Sequence, residues 1–214
     1  DMFWLPGGNP DLKNEYGTTL EIGWETSGKK FSYLSYNFDI TLVRSFIRDM
    51  IKWTPGNNSL WYATNLNKVN TAGIESSLSI YYSKGSVNSE LTAGYAFTKA
   101  TDISFGAESN TGQLVYVPSH QLNSTLRLGY RNIAASLLSR YTGRRYTDYD
   151  NTHYLPGYFV SDINLSTRYR IKSLMVNTSI AIENVFNTEY QVTAWYPMPR
   201  RSYLIKLTFQ TYNP

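Results

Sequence analysis

The 214-residue chain has no cysteine and only two histidines, His120 and His153. The first absence excludes a disulfide scaffold, a thiolate zinc site and a cysteine nucleophile, and the second leaves little for transition-metal chemistry. No apolar run approaches the roughly 18 to 20 residues that a membrane-spanning helix requires, and no signal peptide opens the chain. A membrane β-barrel stays open, because its strands need only about 9 to 11 residues with every second one apolar. Charged residues are scarce at 17%, and the net charge of +4 comes from scattered Lys and Arg, which argues against a nucleic-acid partner. Neither Gly-x-Ser-x-Gly nor a phosphate-cradling glycine loop occurs, and neither histidine has a Ser or carboxylate arrangement beside it. No enzyme activity is therefore expected.

Aromatic side chains are abundant instead. Nineteen Tyr, nine Phe and five Trp make up 15% of the chain, a composition that suits strands. After turn formers at Pro6-Gly7-Gly8-Asn9-Pro10-Asp11, the apolar period becomes 2, with Tyr16, Thr18, Leu20, Ile22 and Trp24 on one face. Ser27 to Lys30 turns the chain into Leu34, Tyr36, Phe38, Ile40 and Leu42, a strand that runs on to about Trp53. Pro55-Gly56-Asn57-Asn58 reads as the next turn. Further strands show Ala72, Ile74, Leu78, Ile80 and Tyr82, then Leu91, Ala93, Tyr95 and Phe97. A long polar loop is expected from about Lys99 to Pro118. Leu122 to Tyr130 and Ile133 to Tyr141 follow, joined by Arg131-Asn132. A second long loop spans about Thr142 to Gly157. The final strands show Phe159 to Tyr169, Leu174 to Ile182, and Tyr203, Ile205, Leu207 and Phe209.

Short turns thus alternate with long loops through nine strands. That is the arrangement of an antiparallel up-and-down transmembrane barrel, with short turns on one side of the membrane and longer extracellular loops on the other. Charges within the crossings are Glu21, Asp39, Glu75, Arg127, Arg140, Asp162, Arg168 and Lys206. Each has the parity opposite to the apolar face and is expected to face the lumen, because a Lys or Arg on the lipid side at mid-membrane costs about 2 to 4 kcal/mol. No convincing helical period appears, so the fold is expected to be all-β.

Four segments carry a family resemblance. They are Asn9 to Tyr16 leading into Leu20-Glu21-Ile22-Gly23; Asn70-Thr71-Ala72-Gly73-Ile74-Glu75; Leu155-Pro156-Gly157-Tyr158; and Glu183-Asn184-Val185-Phe186-Asn187-Thr188-Glu189-Tyr190 with Tyr196-Pro197-Met198-Pro199-Arg200-Arg201. In this order, over nearly the whole chain, they resemble the C-terminal part of TonB-dependent outer-membrane receptors, plugged barrels of 22 strands. The resemblance implies roughly the last nine strands of such a barrel, in the outer membrane of a Gram-negative bacterium, with the plug domain and TonB box outside residues 1–214. A chain that begins at Asp1 is expected to be processed or cut down. The implied partners are outer-membrane lipid, the plug and remaining strands, TonB-ExbB-ExbD acting indirectly, and a cobalamin or metal-chelate siderophore ligand. Two departures stand out: the family usually has Gly where Arg200 stands, and it usually ends on an aromatic, whereas Thr211-Tyr212-Asn213-Pro214 follows here.

Within that frame the long-loop residues Tyr116, Arg144, Arg145, Tyr146 and Trp195 are the candidates for a ligand vestibule, and Arg144-Arg145 could equally hold lipid phosphates. Trp53, Trp61, Tyr62, Trp195 and Tyr196 sit at strand-loop junctions. Their first reading is a membrane-interface girdle, and their second is a ligand-contacting rim. No cofactor is expected. Asp148-x-Asp150-x-Thr152 has the oxygen spacing that opens a calcium loop, without the following Gly or bidentate Glu. The competing functional class is a soluble extracellular β-sandwich for adhesion or glycan binding, and a third is a lipid-degrading barrel enzyme, which the lack of a Ser-His arrangement disfavours.

Overall fold

The computed structural model describes residues 9–55, 60–103 and 112–211. Parts of four expected segments lie outside them: the opening turn before Asn9, the Gly56 to Asn58 turn, residues 104–111 of the long polar loop, and the tail after Thr211.

Among the described residues thirteen strands are formed: β1 (Tyr16–Lys29), β2 (Leu34–Pro55), β3 (Trp61–Lys84), β4 (Val87–Asp102), β5 (His120–Tyr130), β6 (Ile133–Thr142), β7 (Arg145–Tyr146), β8 (Tyr154–Leu155), β9 (Tyr158–Ile171), β10 (Leu174–Glu183), β11 (Gln191–Thr193), β12 (Tyr196–Pro197) and β13 (Ser202–Thr211). Nine of them form one sheet in the order β1-β2-β3-β4-β5-β6-β9-β10-β13, each paired antiparallel with its chain neighbour in the sheet. β7 with β8 and β11 with β12 are small hairpins inside the long loops. A single continuous sheet is not the pair of facing sheets of a sandwich, so the soluble alternative falls at this level.

Register carries one face across all nine strands. Ile22 pairs with Leu42, Leu42 with Ile74, Ile74 with Phe97 and Phe97 with His120. Further along, Leu126 pairs with Leu137, Leu137 with Ile163, Ile163 with Ile182 and Ile182 with Tyr203. Paired residues in an antiparallel ladder point to the same side, so these apolar positions form a continuous surface. It is open: Ile22 is 75% exposed and Ile205 and Tyr203 are each 70% exposed. An apolar surface this extensive is not stable against water and marks an interaction with apolar surroundings. Rings gather towards both ends of it, Tyr82, Tyr130 and Tyr169 near the short turns and Tyr141, Phe159 and Tyr203 near the long loops, as membrane-interface belts do.

Two expectations change. β3 begins at Trp61, eleven residues before the alternating stretch at Ala72, and β2 reaches Pro55, so the two form a long hairpin past the rest of the sheet. The alternation breaks there for a physical reason. Asp49 adopts a left-handed φ of 53°, and Ile47 and Met50, three apart, pack on the same small core of Leu66, Val69, Ala100 and Leu114. Similarly, the loop expected to be polar carries Leu114 into that core at 3% exposure and buries the neighbouring Val115 to 2%.

Gly73 is required where it stands: a Cβ there would meet the Phe97 carbonyl oxygen at 2.8 Å.

Candidate functional site

At the long-loop end, on the polar side of the sheet, Gln121, Thr142 and Tyr158 form one register row. Above this row lies a cleft of about 500 Å³. The β2-β3 hairpin brings Lys52, Trp53 and Trp61 to it, the turn before β5 brings Tyr116, and the loop hairpins bring Arg145 and Tyr196. Gly157 allows this convergence, because a Cβ there would lie 3.0 Å from the Thr142 carbonyl oxygen and 3.3 Å from the Arg144 nitrogen.

Arg145 is only 3% exposed, and among the described residues no carboxylate pairs with it. Its terminal nitrogens donate to the carbonyl oxygens of Val192 and Pro156, each at 3.2 Å, and its guanidinium lies 4.9 Å from the Tyr158 ring centre. Its Nε is buried without a partner. Burial lowers the Arg145 pKa, against smaller opposing effects of Tyr158 and Tyr116. Lys52, beyond the apolar band, donates to the Val115 carbonyl oxygen, and burial lowers its pKa. Burial likewise raises that of Tyr116, whose ring lies 5.5 Å from Trp61. The described residues lining the cleft include two cations, several aromatic rings and no carboxylate. Such a lining favours a ligand that brings negative charge or planar faces.

The rest of the polar face carries charged and polar pairs. All eight charged residues read from the sequence, Glu21, Asp39, Glu75, Arg127, Arg140, Asp162, Arg168 and Lys206, lie on the side of the sheet away from the apolar surface. Arg127 pairs with Glu90 at 3.0 Å and Arg140 with Asp162 at 3.3 Å, while Asp39 accepts from Ser77. Arg168 Nε donates to Asn177 at 2.8 Å.

Residues 1–187 match the family of TonB dependent receptor-like β-barrel domains. The chain belongs to that family. The chain is 26% identical over 194 residues to the vitamin B12 transporter BtuB of Vibrio vulnificus, covering 89% of this chain and 28% of that protein. It is 27% identical over 210 residues to BtuB of Photobacterium profundum, covering 92% of this chain and 32% of the relative. The chain thus spans about a third of these relatives. Among solved structures, the copper transporter OprC superposes with a TM-score of 0.66 at 17% identity, over 94% of this chain and 32% of that one. BauA, the ferric preacinetobactin receptor from Acinetobacter baumannii, does so at 0.62 and 17%, over 90% and 29%.

As a TonB-dependent receptor barrel, the chain shows what its terminal motif does. Asn184, 3% exposed and at φ 50°, accepts from the Thr188 backbone nitrogen at 2.8 Å and donates to the carbonyl oxygens of Thr188 and Pro199 at 2.9 and 3.3 Å. Asn187 accepts from the Arg201 nitrogen at 3.1 Å. The two asparagines therefore close the loop that returns the chain to β13. Arg200, where the family usually has Gly, forms an ion pair with Glu189.

The five candidate vestibule residues of this receptor divide. Tyr116 and Arg145 meet in the cleft. Arg144 instead stacks over Tyr146 and Tyr154, at 5.4 and 5.9 Å from their ring centres, and Trp195 is 91% exposed. Trp53, Trp61 and Tyr196 line the cleft. Lys52, Gln121, Thr142 and Tyr158 were not read from the sequence as site residues; only the Pro156-Gly157-Tyr158 motif marked their neighbourhood. Asp148 accepts from the backbone nitrogens of Thr152 and His153, and from His153 Nδ1 at 2.7 Å. Those hydrogen bonds, led by the Thr152 hydroxyl, hold its carboxyl well below the usual carboxylate range. Among the described residues no group of three or more His, Cys, Asp or Glu side chains converges as a metal site.

Proposed function

We propose that this chain is a C-terminal wall segment of a TonB-dependent importer in the outer membrane. The apolar surface faces lipid and the eight-residue polar set faces the lumen and the plug. Strands from the rest of the receptor continue the sheet at the free edges of β1 and β13. TonB-ExbB-ExbD supplies energy through the plug, and the long loops face outward. The cleft beneath those loops takes part of a large scarce nutrient, a cobalamin or a metal chelate. The observation that carries this reading is the placing of buried Arg145 and half-buried Lys52 among aromatic rings, with no carboxylate among the described lining residues, at the open end of a two-faced receptor sheet.

The test uses the complete receptor with Tyr116→Ala and Trp61→Ala, alone and together, measuring equilibrium binding and uptake of cyanocobalamin and of a ferric siderophore panel. One ligand class should bind to the parent receptor, with affinity in the double variant reduced about tenfold or more. Its uptake should stop when TonB is removed. Unchanged affinity and uptake in the double variant would remove the cleft from the ligand path.

A further inference from the structure

The apolar surface ends at its long-loop margin in charges of a single sign. Along the face that contains Ile22, Leu42 and Ile74, the charged residues of the described sheet strands are Arg44, Arg48, Lys68, Lys84 and Lys99, with no Asp or Glu. Lys84 stands alone at a short turn. The other four cluster. Arg44 and Lys99 occupy one register row with Leu20 and Ala72, directly beyond the row of Ile22, Leu42, Ile74 and Phe97. Arg48 and Lys68 pair directly two rows further out, beside Tyr16. All four side chains are exposed. Between the two basic rows stands Phe46, 44% exposed, with the Arg44 guanidinium 5.1 Å from its ring centre. A concavity of about 490 Å³ is lined by Phe46, Arg48, Lys68, Thr18 and Asn70.

From strand spacing and rise, the four cations cover about 10 Å across the strands and about 13 Å along them. That is the footprint of one phosphorylated sugar headgroup, larger than a single phosphate ion. The cations cannot serve the nutrient cleft, because they lie on the other face of the sheet. On a lipid-facing wall they sit where acyl chains give way to headgroups, where cations attract anionic lipid. Phe46 and Tyr16 add ring faces at the same level.

We infer that the outer face of β2, β3 and β4 is a binding site for the phosphorylated headgroup of a lipid in the leaflet on the long-loop side. This rests on the lipid-facing reading of the sheet. Two or more phosphates of one headgroup bridge the Arg44-Lys99 and Arg48-Lys68 rows, while its chains lie over Leu20, Ile22 and Leu42. The site has no part in the nutrient path and anchors this sector of the wall at a defined depth.

The test compares the complete receptor with a fourfold variant, Arg44→Gln, Arg48→Gln, Lys68→Gln and Lys99→Gln, and with Lys84→Gln as a control. Native mass spectrometry would count bisphosphorylated lipid A retained from mixed micelles, against the same lipid with its phosphates removed. Retention by the parent and the Lys84→Gln control should exceed that by the fourfold variant about tenfold or more. It should fall with added salt, be lost with the phosphate-free lipid, and withstand millimolar inorganic phosphate. Equal retention by the fourfold variant, equal retention of phosphate-free lipid, or displacement by inorganic phosphate would each overturn the proposal. Should the fourfold variant fail to insert, the pair Arg48→Gln with Lys68→Gln provides the same comparison. Spin labels on Ile22 and Leu42 report separately whether the face meets lipid at all, so failure of the headgroup site and failure of the membrane reading give different results.

Discussion

Arg145 rests with its guanidinium 4.9 Å from the ring of Tyr158, and from that position its two terminal nitrogens tie the carbonyls of Val192 and Pro156 together. One side chain thereby joins the loop before β9 to the loop before β13, and the cleft exists because those loops are held at this distance. An ammonium group cannot reproduce the planar fork. Arg145→Lys is expected to weaken ligand binding by about 1 to 2 kcal/mol, some five- to thirtyfold, while the barrel remains folded. Titration calorimetry on the complete receptor measures the first effect, and the heat-modifiable shift on a denaturing gel the second.

Asn184 plays the same part lower in the structure, satisfying backbone groups at Thr188 and Pro199 from a left-handed conformation. Asn184→Ala removes those bonds from a buried position and places a Cβ residue at positive φ. The expected loss is about 1 to 3 kcal/mol for the unpaired groups, with a further contribution from the backbone. Asn184→Gly loses the same bonds but relieves the backbone, so it should unfold in urea at a higher midpoint than the alanine variant. The reverse order would show that conformation at this position does not matter.

The apolar surface and its polar reverse are readable from the sequence because a strand has a period of 2, and the period persists through residues such as Leu34 to Leu42 and Leu174 to Ile182. The cleft is not readable in the same way. Lys52 reaches it only because the left-handed Asp49 resets which side of β2 faces inward, and Leu66 and Val69 are both buried at a spacing of three. Tyr158 reaches it because Gly157 permits two backbones to touch. Local conformation of this kind leaves little periodic trace. Arg144 and Arg145 show the limit most directly, since adjacent and chemically identical side chains separate into an exposed ring stack and a buried tie.

The Asp148 loop carries a pH dependence whose sign is defined. Hydrogen bonds from Thr152 and His153 lower its pKa from the ordinary value of about 3.9, so the contribution to loop order is fully present above that value and disappears only as pH falls through the depressed one. At pH 4 an unconstrained Asp would be about half protonated. The loop at residues 148–153 should instead retain its amide protection at pH 4 and lose it under more acidic conditions. Asp148→Asn should lack the protection at neutral pH. Hydrogen exchange of the Thr152 and His153 amides measures both.

The central claim is that one face of the nine-stranded sheet meets lipid and the other an aqueous lumen. Nitroxide labels placed one at a time along β10, from Leu174 to Glu183, in the complete receptor in bilayers, test it most directly. Collision with oxygen should peak at Val176, Thr178, Ile180 and Ile182, and collision with a water-soluble nickel chelate at Asn177, Ser179 and Ala181. The two profiles should alternate out of phase with a period of 2. Equal access of the nickel chelate to both sets would contradict the account.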